Sequence, residues 1–504
     1  MYKKIAILLT IALCLAFTST TTLAATSGEK LFREAQQQEK KADYFSAFKL
    51  YKEARPLLVK EEKEDQVKEC RRAFTRIKNI LDTYPLKLDE VVKIIKKNYP
   101  DATDERIEQI IKDGRLPHMT IEGQTYYFED FLNTLYHLYP DFRVVKQAGA
   151  LGQQSKLLGL MGEFIYEGNN LPPGQTLTTP FHYAATGEVV IPRDKLPETG
   201  LLKVWMPLPL VSSAQQNLEI IDIYPEQYIR YPIKTDGDIG LVYFEVPLEE
   251  IYDDLKMGVR FNFTHYEERF HVDPYYLGEY DKESELNKRY TASDKNIAVT
   301  PDIIKKAKEI AGSETNPFFI AKKFYDHIVY DLDYSLTPHG ALDALDIPES
   351  VYVQEHGYGD CGAQSMYFAA LCRAMGIPAR SAGGYQLFPN PKGTGCGTHF
   401  WAQIYLPNYG WMPVDTSVGQ LAKYDPTLTK QEETDFIEYF FGNMDPYRYL
   451  IQVDVDVPLI PPPTERLMFG MVLQSPTATC TEMDESPGYL FGEHWNLIVK
   501  RVNK

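Results

Sequence analysis

A chain of 504 residues is too long for one ordinary hydrophobic core, and 44% hydrophobic with 13% aromatic content excludes a mainly disordered polymer. The formal net charge of −17 argues against a nucleic-acid binder, which needs a basic surface to displace counterions from phosphate. Six cysteines without a CxxC pair exclude both a disulfide-stapled scaffold and a cysteine zinc site.

The N-terminus predicts a cleaved secretory signal over 1–25: Lys3 and Lys4, an apolar run from Ile5 to Phe17, then small residues ending at Ala24 and Ala25. The alternative is an uncleaved anchor, although the run is short for a spanning helix. No second long apolar segment follows, so the expected location is extracytoplasmic, in a periplasm or at a cell surface. The remaining Cys70, Cys361, Cys372, Cys396 and Cys480 allow at most two disulfides and leave one thiol unpaired.

Residues 26–150 predict a helical module. Ala47, Leu50, Tyr51 and Ala54 recur at helical spacing. Ala47, Tyr51 and Ala54 resemble one tetratricopeptide hairpin, but there is no second copy, which favours a plain helical hairpin. "IEGQTYYF" predicts one short strand among the helices. After "NNLPPGQTLTTP" the period falls to two: Leu202, Val204 and Met206 alternate with Lys203 and Trp205, and Val259, Phe261 and Phe263 alternate with Arg260, Asn262 and Thr264. These strands predict a β-sandwich over 170–290.

From 295 to 425 the sequence predicts a separate core. Thr300, Pro301 and Asp302 open a helix that Gly312 stops, and Pro317 opens another reaching about Val329. Asp331, Asp333, Asp343, Asp346 and Glu349 lack EF-hand spacing, so the acidic stretch predicts a solvated loop rather than a calcium site, and no cofactor is expected. Residues 426–504 predict a C-terminal β region.

The chemistry concentrates in "EHGYGDCGAQSMYFAALCRAMGIPARSAGGY". Ala363, Met366, Tyr367, Ala370 and Ala374 make a helical stripe that Gly376 and Pro378 terminate, which places Cys361 at a helix N-terminus. There the helix dipole and free amides favour a thiolate, although a buried structural thiol fits the same place. A thiolate nucleophile needs a base and an orienting group. "GTHFWAQIYLPNYGWMPVDTS" reads as strand, turn and strand, and only an odd or bulged loop, such as one pairing Leu406 with Gly410, brings Asp415 to the face of His399.

These motifs, G-x-C, the helix with Leu-x-Arg-x-x-Gly-Ile-Pro-Ala-Arg, H-x-W and G-W-x-x-x-D, closely resemble the transglutaminase-like superfamily. The resemblance implies a papain-like transglutaminase core within an α+β multidomain chain, with Cys361 as nucleophile, His399 as acid/base and Asp415 orienting the imidazole. Gln403 stands where the family usually has Glu, and Thr416-Ser417 where Pro-Thr is common. The Cys361 amide is the expected oxyanion donor, with Tyr352, Gln354 or Tyr358 as a second. Cys372 is about 16 Å along the helix at about 1.5 Å per residue, too far to pair with Cys361. Cys396 reads as a loop thiol or a redox cap, His356 as a rival base or a plain loop residue, and Arg373 and Arg380 as braces. The implied partner is a protein or peptide, cell-wall peptide included. Three functions stay open: amide-directed acyl transfer, a cysteine protease or cell-wall peptidase, and a non-catalytic binding or scaffold protein.

Overall fold

The computed structural model describes residues 27–147, 155–166, 172–390, 393–464, 467, 471–483 and 486–502; the expected signal at 1–25 lies outside them. The chain divides into two compact units, Met1–Cys70 and Arg71–Lys504. In the first, Ser27 caps α1 (Gly28–Lys40) by accepting from the Lys30 amide, and α2 (Tyr44–Lys60) follows a short turn. Ala47, Tyr51 and Ala54 are buried, and the Phe32 ring meets Tyr51 edge-on at 5.7 Å. α3 (Glu64–Thr83) spans the division.

The second unit continues with α4 (Leu88–Asn98), α5 (Asp104–Asp113), α6 (Phe131–Leu138) and α7 (Pro140–Gln147). Between α5 and α6 the expected single strand is a hairpin, β1 (His118–Ile121) and β2 (Gln124–Tyr127), because Glu122 and Gly123 both take positive φ and turn the chain back. Ile95, Ile110, Phe131 and Leu135 pack in one cluster with Leu342, Tyr352 and Tyr358, so these helices share a core with the chain just ahead of Cys361.

After α8 (Lys156–Tyr166) come β3 (Gly174–Ile191), β4 (Leu201–Pro207), β5 (Gln215–Tyr224), β6 (Leu241–Pro247) and β7 (Leu255–His271). β7 pairs with β3 and β5, and β4 pairs with β6. Val204 and Met206 from one sheet and Val259, Phe261 and Phe263 from the other enter one core. Trp205, on the opposite face of β4, is also buried: its ring packs on Tyr243 at 5.0 Å and its Nε1–H donates to the Pro461 carbonyl at 2.8 Å. Both faces of β4 are therefore covered, the second by chain far away in sequence.

α9 (Glu285–Thr291) precedes α10 (Pro301–Ala311), which Thr300 caps through the Ile303 amide. α11 (Pro317–Asp326) ends short of Val329, and the chain runs on to Asp331 as a wider π turn. Next come β8 (Asp333–Tyr334), α12 (His339–Ala344), α13 (Glu349–His356) and β9 (Tyr358–Gly359), with β8 and β9 paired in parallel. α14 (Cys361–Ala374) follows and is buried along nearly its whole length. It packs against β10 (Ala379–Gln386) and, beyond a small ribbon of β11 (Pro389–Asn390) and β12 (Gly393–Thr394), against β13 (Gly397–Leu406). β14 (Gly410–Val414) closes the hairpin, and α15 (Thr416–Leu421) and α16 (Lys430–Tyr439) follow.

The strands after α16 join three different sheets. β15 (Asn443–Met444) pairs with β7, and β16 (Arg448–Gln452) pairs with β10. β17 (Thr477–Cys480) pairs with β4, and after α17 (Gly488–Glu493), β18 (Trp495–Val502) pairs with β3. The resulting order β14-β13-β10-β16 positions the candidate site. Gly384 permits the β10–β16 approach, since a Cβ there would lie 1.9 Å from the Tyr449 carbonyl oxygen. No helix among the described residues is long and apolar enough to cross a membrane.

Candidate active site

α14 begins where it does because Asp360 caps it. The Asp360 Oδ1 accepts from the Ala363 amide at 3.1 Å, and Gly376 at φ 75° follows the far end. Cys361 is consequently the first helical residue, half-buried, on the wall of a cavity of about 600 Å³. Burial and then the neighbouring Asp360 carboxylate push the thiol up, while backbone hydrogen bonds at Phe400 and Gly362 act the other way. Cys361 and the β13 residues Thr398 and Phe400 line the same cavity wall. Gly362 packs the same junction: a Cβ there would meet the Phe400 ring at 3.4 Å.

The β13–β14 hairpin pairs Leu406 with Gly410 across a three-residue loop. This is the odd loop that the facing of His399 and Asp415 requires. Asp415 leaves β14 to cap α15, accepting from the Val418 amide at 3.0 Å through Oδ1, and its Oδ2 accepts from His399 Nε2 at 2.8 Å. With Nε2 donating to the carboxylate, Nδ1 is the ring nitrogen left for proton exchange. Burial alone would raise the Asp415 carboxyl; His399 and Arg448 outweigh it and hold the group well below the usual carboxylate range.

Arg448 is a component that the motif reading passes over. It is fully buried, donates from Nη1 to Asp415 Oδ2 at 2.6 Å and from Nε to Asp445 Oδ2 at 3.0 Å. Trp401 lies under both groups, 6.1 Å from the His399 ring and 5.5 Å from the Arg448 guanidinium. The only sequence signal was its place in "GNMDPYR", thirty-odd residues beyond the hairpin and without periodicity.

None of the suggested second oxyanion donors lines the cavity with Cys361. Tyr358 donates to the Arg115 carbonyl at 3.0 Å, and Gln354 accepts from Tyr367 at 2.5 Å. The Tyr352 hydroxyl lies 3.5 Å from that of Tyr358, and its ring stacks on His356 at 4.2 Å. Tyr334 takes the cavity position instead: it pairs with Gly359 across β8–β9 and lines the same wall as Cys361. Burial and then the Cys361 sulfur raise its phenol, which therefore stays a proton donor. Its ring rests on half-buried His137 of α6 at 5.1 Å, and desolvation lowers that imidazole to about 4.

The other residues singled out by sequence have structural partners. Arg373 donates to the carbonyls of Ala379 and Ala292 and pairs with Asp454 at 3.1 Å. Arg380 donates to Gln403 at 2.8 Å and lies 3.9 Å over the Trp411 ring, so Gln403 faces a guanidinium. Cys372 is buried, and Cys70, Cys361, Cys372 and Cys396 are free thiols. The acidic stretch is spread over separate partners: Asp333 bonds Lys423, Asp343 bonds Lys295, and Glu349 bonds His339. Among the described residues no group of three or more His, Cys, Asp or Glu is placed to hold a metal ion.

The family model described as "Transglutaminase-like superfamily" matches residues 304–416, the span holding Cys361, His399 and Asp415. The chain carries a transglutaminase-like domain. An uncharacterised protein of Haemophilus influenzae is 24% identical over 324 residues, 57% of this chain and 83% of its own length. A Cytophaga hutchinsonii structure described as a "putative cysteine protease" shares 11% identity over 66% of this chain and 93% of its own, at a TM-score of 0.39. The periplasmic domain of TgpA from Pseudomonas aeruginosa shares 12% over 51% and 98%, at 0.27. Within the transglutaminase-like domain the cavity wall runs from Tyr334 to Phe400, and the remainder comes from outside it, Met471–Thr477 and the α17 region.

Proposed function

We propose that the chain is a secreted thiol enzyme that acts on amide bonds of proteins or peptides through a thioacyl intermediate, with Cys361, His399 and Asp415 as its catalytic residues. The carrying observation is the 2.8 Å bond from His399 Nε2 to Asp415 in a hairpin whose Phe400 lines the same cavity wall as Cys361. Because burial and Asp360 push the thiol up, the proton has to pass to His399 Nδ1 rather than to solvent. The sulfur then attacks the amide carbonyl carbon, and the electron pair moves to oxygen. The Cys361 N–H at the helix start and the Tyr334 hydroxyl are the donors offered to that oxyanion. Collapse expels the amine, which takes the proton back from His399 and leaves a thioester on Cys361. Water or a second amine attacks the thioester with His399 as base and restores the thiol.

The N-terminal run of Lys3, Lys4 and the apolar residues 5–17 supports secretion. The two sheets that share one core support the β-sandwich reading of 170–290, with β17 and β18 as later additions to it. The test of function is incubation of the purified protein with glutamine-bearing and cell-wall peptides, followed by mass spectrometry. New isopeptide bonds would identify acyl transfer, and new amino termini or conversion of glutamine to glutamate would identify hydrolysis. Both should vanish in Cys361→Ala. No product from either substrate set, together with Cys361 alkylation that His399→Ala leaves unchanged, would move the reading to a binding or scaffold protein.

A further inference from the structure

A second histidine–carboxylate cluster stands on the other side of Cys361. His339, at the start of α12, reaches Glu349 Oε1 through Nδ1 at 2.8 Å and Asp360 Oδ2 through Nε2 at 2.7 Å. With both carboxylates ionised, both ring nitrogens donate and the ring is an imidazolium. Burial works against that charge, and the Asp360 and Glu349 carboxylates outweigh it, holding the ring well above the usual imidazole value. His339 lines the cavity with Cys361.

The choice of cap poses the question that this cluster answers. Asn or Ser would cap α14 as well as Asp does. Asp360 instead puts an anion next to the residue that has to become one, and like charges oppose each other's ionisation. The carboxylates acting on the thiol are Asp360 and Asp415. Asp415 is paired with Arg448, and Asp360 is paired with His339, so each has its own cation. Asp360 is also tied down by Thr337, whose amide donates to Oδ2 at 3.2 Å and whose hydroxyl accepts from the Asp360 amide at 3.2 Å. The charged groups around His339 are Glu349 of α13 and Asp360 before α14. Asp343 of α12 acts on Glu349 and is itself bonded to Lys295 at 2.6 Å.

We propose that His339 is a positioning residue for the nucleophile: its cation offsets Asp360, so that Asp360 can cap α14 and fix Cys361 without opposing the thiolate. This inference rests on the reading of Cys361 as nucleophile. A structural role alone would demand a hydrogen-bonding ring; the charge role demands a cation wherever Asp360 is an anion.

The test is the pH dependence of Cys361 alkylation by iodoacetamide, read at the Cys361 peptide by mass spectrometry so that the other thiols do not contribute. The variants are His339→Gln, Asp360→Asn and the double variant. His339→Gln should raise the midpoint by about one pH unit and slow alkylation at pH 7 about tenfold. The double variant, in which Asn keeps the cap, should return to the wild-type midpoint. Asp360→Asn alone should not raise it. An unmoved midpoint in His339→Gln, a double variant that stays shifted, or a rise in Asp360→Asn would each overturn the proposal. If His339→Gln does not fold, the other two variants still decide it. A wild-type midpoint at the ordinary thiol value, insensitive to His399→Ala yet moved by His339→Gln, would sink the nucleophile reading and overturn the positioning role with it, leaving only a charge coupling between His339 and the thiol.

Discussion

Two histidines flank Cys361, each bonded to a carboxylate at nearly the same distance, 2.8 Å for His399 with Asp415 and 2.7 Å for His339 with Asp360. Their surroundings make them different instruments. Asp415 shares its Oδ2 with the Arg448 guanidinium, so its charge is divided, and His399 keeps one ring nitrogen uncommitted. Asp360 Oδ2 is shared with the Thr337 amide but, among the described residues, with no second cation; both His339 nitrogens are occupied by carboxylates, and no site remains from which to exchange a proton. A histidine–carboxylate contact therefore does not define a catalytic base. What the second nitrogen faces, and what else holds the carboxylate, decides whether the ring moves protons or holds a charge in place.

The comparison breaks most visibly on the reaction itself. His399→Ala should lower the rate of product formation at least about a hundredfold, whereas His339→Gln should leave a measurable rate with an altered pH profile. Equal losses would erase the distinction. Next in size is Arg448→Met, which leaves Asp415 and Asp445 buried without their cation and should cost about 3–5 kcal/mol in denaturant unfolding.

Stability against pH separates the two clusters further, because their shifts have opposite signs. The Asp415 carboxyl is held low in the folded state, so below about pH 4 the unfolded chain binds the extra proton. Stability is then present above that pH and lost as the medium becomes more acidic. Asp415→Asn should flatten this acid limb of a denaturation series. His339 is held high, so its contribution is complete below about pH 6.5 and is lost as pH rises towards the folded value. His339→Gln should flatten the alkaline limb and, because its cation also holds the Asp360 carboxyl low against burial, take part of the acid limb with it. The smallest effect expected is that of Thr337→Val, which removes one bond to the Asp360 amide and should cost about 1 kcal/mol in the same unfolding measurement.

Much of the first cluster was legible because it lies on regular elements. The helical stripe after Cys361 fixes its place at an N-terminus, and the period of two in the β13–β14 hairpin makes the facing of His399 and Asp415 a question of loop length. The second cluster was not. His339, Glu349 and Asp360 are separated by two short helices, a turn and a two-residue strand, and no period relates them. Glu349 and its acidic neighbours read as a solvated loop because charge in sequence does not reveal burial, and Glu349 is almost fully buried. Trp205 failed to obey its alternation for a related reason: Pro461 and the residues around it, more than two hundred positions away, supply the cover for its face. Arg448 reaches Asp415 only through the pairing of β16 with β10, a contact between strands that are not neighbours in sequence.

The wall formed by Met471–Thr477 and the α17 region has a consequence for the life of the protein before it is finished. Gln474 holds that segment to the sheet by donating to the carbonyls of Gly384 and His399 at 2.8 and 3.2 Å. These residues emerge from the ribosome well after Cys361, His399 and Asp415, with a lag on the order of ten seconds at bacterial and eukaryotic translation rates. During that lag a nascent chain holds its thiol, imidazole and carboxylate in order along the sequence but has no completed cavity in which to seat a substrate. Under the proposed function, late synthesis of one wall would act as a timer that withholds reactivity from neighbouring polypeptides until the last strands are in place.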